Sequence, residues 1–77
     1  MSFRLLDTVV LDRDLPAHFL KKGDLGVVVH VYDPDALEVE FTTAFGRTEA
    51  LLTLRTEDLR GVVDNDLVAV RTYGRSA

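Results

Sequence analysis

The chain contains no cysteine and no tryptophan, one methionine and two prolines in 77 residues. Without cysteine there can be no disulfide, no thiolate metal site and no cysteine nucleophile. Small secreted domains usually depend on disulfides, so the cytoplasm is the expected location. Apolar runs such as Val27-Val28-Val29 and Ala50-Leu51-Leu52 fall far short of the roughly 20 residues a membrane-spanning helix needs. The first residues, Met1-Ser2-Phe3-Arg4-Leu5-Leu6-Asp7, reach an acid at Asp7 and do not read as a signal peptide. Helical periodicity is also missing over any useful length, and Thr8-Val9-Val10 is a poor helix former. Ser2 and Ser76 sit near the two ends, and nothing resembles a nucleophile elbow.

What is present is ordinary for a folded domain: 47% apolar and 29% charged residues, with a net charge of −4. Thirteen acids are spread along the chain. That balance repels the phosphate backbone that dominates non-specific affinity for nucleic acid. A chain this short buries only about 60–65% of its unfolded surface, so its core is small. A drug-sized pocket of roughly 300–1,000 Å³ would remove much of that core. The expectation is therefore a non-enzymatic domain, with no cofactor, no small-molecule substrate and no membrane contact.

Turn signals divide the chain at Leu15-Pro16, Lys22-Gly23-Asp24, Asp33-Pro34-Asp35, Phe45-Gly46 and Asp64-Asn65-Asp66. Strands are expected from Asp7 to Leu11, Leu25 to Tyr32, Leu37 to Thr42, Arg47 to Arg55, and Leu59 to Val63. The third is the clearest, since Leu37, Val39 and Phe41 alternate with Glu38, Glu40 and Thr42. In the second, the valines Val27, Val29 and Val31 fall on one face and His30 on the other, towards solvent. Thr56-Glu57-Asp58-Leu59 reads as a single helical turn, with Thr56 placed to cap it. The domain is expected over residues 1–63. Residues 64–77 form a C-terminal extension with strand composition in Leu67-Val68-Ala69-Val70.

This order of strand, long loop, Gly-Asp-x-Gly turn, three-strand meander, helical turn and short strand resembles an all-β, five-stranded SH3-like barrel. Lys22-Gly23-Asp24-Leu25-Gly26-Val27-Val28 looks like the core of the KOW-type motif of ribosomal and transcription-elongation proteins. A closer resemblance is to a family of short bacterial proteins known only as a domain of unknown function. It is carried by Leu6-Asp7-Thr8-Val9-Val10-Leu11, Asp14-Leu15-Pro16 and the Lys22–Val28 segment. Val39-Glu40-Phe41, Gly46-Arg47-Thr48, Leu52-Thr53-Leu54 and Asp58-Leu59-Arg60 continue it. It covers about residues 3 to 62 and implies the barrel and a bacterial origin, but no activity. Some similar small barrels act as immunity or antitoxin partners of a neighbouring protein.

The residues that can carry chemistry are few. His18 and His30 have no second ligand at metal-binding spacing, although Asp14, Asp33 and Asp35 are conceivable companions. Glu38 and Glu40 share a face roughly 6.5–7 Å apart along the strand, and read best as a solvated surface that discourages edge pairing. Gly23-Asp24-Leu25-Gly26 lacks the Lys-Ser/Thr ending of a phosphate loop. Lys21, Lys22, Arg47, Arg55, Arg60, Arg71 and Arg75, with Tyr32, Phe45 and Tyr73 as stacking platforms, are the raw material for a nucleic-acid face. Apolar residues at turns, Phe19-Leu20 and Ala44-Phe45, either plug the barrel ends or meet a partner. The expected interaction surface comprises His18, Phe19, Tyr32, Phe45, Val68, Val70 and Tyr73. The expected function is a protein-interaction or accessory module, self-associating or bound to a partner protein and immunity- or antitoxin-like in its sharpest form. A KOW-type nucleic-acid-binding module is the alternative.

Overall fold

The computed structural model describes residues 2–33, 35–42 and 47–63. Five strands form one antiparallel sheet: β1 Thr8–Leu11, β2 Leu25–Asp33, β3 Ala36–Thr42, β4 Thr48–Arg55 and β5 Leu59–Gly61. Their order is β4-β3-β2-β1-β5, so the first and last strands lie side by side. That adjacency is what the SH3-like expectation requires. The edges are β4 and β5, and no ladder joins them among the described residues. The only helical pieces there are 3-10 turns at Pro16–His18 and Thr56–Asp58.

The core follows from alternation. Leu37, Val39 and Phe41 of β3 face inward together with Leu54 of β4, and Ala50 and Leu52 pack against them. Val9 and Leu11 of β1, Val28 of β2 and Leu59 of β5 close the cluster. Phe3, ahead of the first strand, also enters it. Val10, on the other face of β1, is buried as well. A β-branched pair at this position suits a strand held between two neighbours.

Two glycines have separate tasks. Gly23 has φ +99° in the turn that enters β2, and a Cβ there would meet nothing within 4 Å, so its need is conformational. Gly26 is needed for space. A Cβ there would stand 2.7 Å from Val39 Cγ1 and 2.9 Å from Phe41 Cε1. Phe41, directly across the ladder from Gly26, lays its ring over the missing side chain. Asp24, between the two glycines, is buried and accepts the Lys21 N–H at 2.8 Å.

The structure corrects three readings. In β2, Gly26 and Val28 face the core, and Val27 pairs with the outward Glu40. The register then shifts between Val28↔Val39 and His30↔Glu38, so Val29 is an extra residue. This β-bulge re-aims the strand and puts Val27 and His30 on the same outer face, which strict alternation forbids. Second, β3 lies inside the sheet, so Glu38 and Glu40 do not guard an edge. Third, Asp58 braces the second 3-10 turn in place of Thr56. Its carboxylate accepts the Arg55 N–H at 3.1 Å and the Arg13 Nη1 at 3.2 Å. An anionic acceptor aimed back at a turn's first amide does the work of an N-cap hydroxyl.

Candidate functional site

The outer face of β2, β3 and β4 carries two rows of side chains, because residues directly opposite in an antiparallel ladder share a face. One row runs Val27–Glu40–Leu51 and the other His30–Glu38–Thr53. Tyr32 completes the second row. Its hydroxyl donates to Glu38 Oε1, and its ring meets His30 edge-on with centroids 4.5 Å apart at 60°. Across the other row, Thr48 Oγ1 donates to Glu40 Oε2 at 2.6 Å. Both glutamates are half-buried between the strands, and each is held by a hydroxyl from a neighbouring strand. Above this polar bed, Tyr32 and Leu51 remain 52% and 53% exposed.

The electrostatics match that arrangement. The hydrogen bond to Glu38 holds the Tyr32 phenol above its ordinary 10.0, with desolvation and the glutamate's charge acting in the same direction. At the β2–β3 turn, Asp33 accepts the Asp35 N–H at 3.2 Å. Hydrogen bonding from Asp35 lowers the pKa of the Asp33 carboxyl, and the hydrogen bond and charge of Asp33 raise that of Asp35. These acids do not assemble into a metal site: among the described residues, no three His, Asp or Glu side chains are grouped to hold an ion.

The expected surface divides between two places. His18 and Phe19 belong to the loop that enters β2, whereas Tyr32 lies towards the strand's far end. Leu20, adjacent to Phe19, turns inward and pairs with Leu15 through reciprocal backbone hydrogen bonds of 2.9 and 3.2 Å. Leu20 therefore plugs the core while Phe19 stands 58% exposed with φ 59°. Phe45, Val68, Val70 and Tyr73 lie outside the described residues.

Five large apolar residues outside the expected surface stand exposed: Leu5, Leu6, Val31, Leu51 and Val63. Leu5 and Leu6 form the tip of a turn closed by the Asp7 N–H to the Arg4 carbonyl at 3.0 Å. The Asp7 carboxylate accepts the Arg4 N–H at 2.8 Å across the same turn. Leu6 holds φ 70°, a conformation that glycine adopts far more readily, and its side chain is 71% exposed. Leu51 did leave a signal. It is the one apolar residue beside Thr53 and Arg55 on the wet row of β4.

Among the described residues, no helix is long and apolar enough to cross a membrane. Comparison with curated proteins and with solved structures gives no match. A family model described as a domain of unknown function (DUF4926) matches residues 5–61, which takes in β1 to β5 and both 3-10 turns of the described residues. The chain belongs to this family, the domain of unknown function DUF4926.

Proposed function

We propose that this chain is a non-enzymatic protein-interaction module whose contact surface is the outer face of β2, β3 and β4. One observation carries the reading: two large apolar side chains, Tyr32 and Leu51, stand exposed over glutamates already fixed by hydroxyl partners. Exposed aromatics backed by a preorganised polar bed are the usual composition of a binding centre, because little side-chain freedom is lost on contact. Glu38 and Glu40 give the face a negative character, which suits a partner presenting Lys or Arg and opposes a phosphate backbone. In its sharpest form the partner is the product of an adjacent gene, toxic alone and silenced by this chain.

The test is co-expression with the neighbouring product, followed by binding measurements on the purified pair. Tyr32→Ala and Leu51→Ser should each weaken the complex, with a loss of about 1–2 kcal/mol if they are its hot spots. A complex indifferent to both substitutions would overturn the choice of face. Affinity for RNA that falls steeply with rising salt would instead favour the KOW-type alternative.

A further inference from the structure

We propose that the apolar patch where the chain enters and leaves the sheet, formed by Leu5, Leu6, Val31 and Val63, is an intramolecular docking surface. Its occupant is the chain's own apolar run Leu67-Val68-Ala69-Val70. This patch lies at one end of the sheet, apart from the docking face above, and the proposal stands without that face.

Four of the five unexpected exposed apolar residues share one location. The turn carrying Leu5 and Leu6 sits just ahead of β1 and against β2. The Leu6 N–H donates to the Val28 carbonyl at 2.7 Å, and the Val28 N–H donates to the Asp7 carbonyl at 2.9 Å. Val31 lies three residues further along β2 in the same direction, across from the inward Leu37. On the other side of β1, Gly61 pairs with Val9 and the strands run antiparallel. Val63, two residues on, therefore heads towards the same end of β1. Phe3 enters the core ahead of that end, so the four exposed side chains adjoin the core itself. Clustered exposed apolar groups mark a contact surface, whereas single ones do not. Leu6 adds a second sign. Its backbone holds φ 70° while its side chain stands in water, a strain that contact with another apolar group would offset.

The position of Val63 selects the occupant. Fourteen residues, 64–77, follow it and lie outside the described residues. The first three, Asp64-Asn65-Asp66, are turn formers suited to reversing the chain. The next four, Leu67-Val68-Ala69-Val70, are all apolar. At most about 3.6 Å per residue separates them from the patch, so Leu67 starts within about 14 Å of Val63. A tether this short presents the run at an effective concentration in the millimolar range or above. A second copy or an unrelated protein would have to supply that concentration from solution. The patch surrounds the point from which the run departs, and the chain's own continuation reaches it first.

Nuclear Overhauser spectroscopy on the methyl groups of the full chain tests the proposal. The expected result is cross-peaks from Leu67, Val68 and Val70 to Leu5, Leu6 and Val31, unchanged on dilution. Absence of all of them overturns the proposal. Cross-peaks found only between differently labelled chains in a mixture also overturn it, in favour of a second copy. Urea denaturation of the full chain gives an independent check. Val68→Ser should lower the midpoint, and that loss should shrink by about half or more when Leu6→Ser is already present, since residues in contact are not additive. A Val68→Ser that leaves the midpoint unmoved, or moves it equally in both backgrounds, overturns the contact.

Discussion

At the scale of single residues, the strongest constraints are steric and conformational. Gly26 is the sharpest case, because the space its side chain would occupy is filled by Val39 and Phe41. Gly26→Val should lower stability by about 2–3 kcal/mol through overpacking, measured by urea denaturation. An unchanged midpoint would show that Phe41 has room to move. Leu6 is the opposite case: a leucine at φ 70° whose side chain gains little burial in return. Strain held at an exposed apolar residue is a feature that stability alone does not maintain. Tyr32 provides the pH signature. Its phenol sits above the ordinary 10.0 because its O–H donates a hydrogen bond to Glu38. The folded chain therefore holds that proton more tightly than the unfolded one. The stability it contributes is present below pH 10 and is lost as pH rises through the folded value. Glu38→Gln should bring the Tyr32 midpoint back towards 10.0, followed by carbon-13 NMR of the ring. A midpoint that ignores Glu38 would deny the hydrogen bond.

At the scale of elements, the connections between strands matter as much as the strands. Asp58 joins three segments: its carboxylate takes Arg55 and Arg13, and its backbone carbonyl accepts the Asp12 N–H at 2.8 Å. Asp58→Ala should cost about 1–3 kcal/mol, since a mostly buried acceptor leaves its donors without partners. Arg13→Ala should cost less than about 1 kcal/mol, because that side chain is 59% exposed. Thermal unfolding of the two variants checks the order, and a costlier Arg13→Ala would reverse the assignment. These elements also show what sequence can and cannot reveal. Strand three was legible because Leu37, Val39 and Phe41 alternate cleanly with polar residues and no bulge interrupts them before Phe41. Strand two misled because one extra residue at Val29 inverts the facing of everything before it, and a run of valines carries no mark of the inversion. The role of Asp58 was half hidden: its tie to the Arg55 N–H is local to the turn, but Arg13, 45 positions away, meets it only in the folded chain. Tyr32 was legible as an exposed aromatic. Its alliance with Glu38 and His30 depended on the bulge and was not.

At the scale of the whole molecule, the family match over residues 5–61 coincides with the unit that the strand order closes. The expectation of five strands holds, and the last of them, β5, takes the free edge of β1. Leu59 meets Leu11 and Gly61 meets Val9. This pairing joins positions far apart in sequence, so its loop-closure entropy must be met before the ladder gains anything. It has a consequence for how such a domain can be combined with others. In an antiparallel ladder, opposite backbones stand roughly 4.5–5.5 Å apart. The chain therefore enters the unit at Thr8 and leaves it after Gly61 at nearly the same point in space. A host protein could receive the whole unit within a single surface loop, its two cut ends spliced to neighbouring strands, without either fold having to stretch. The closure of first strand on last thus gives this small sheet the geometry of an insertable cassette.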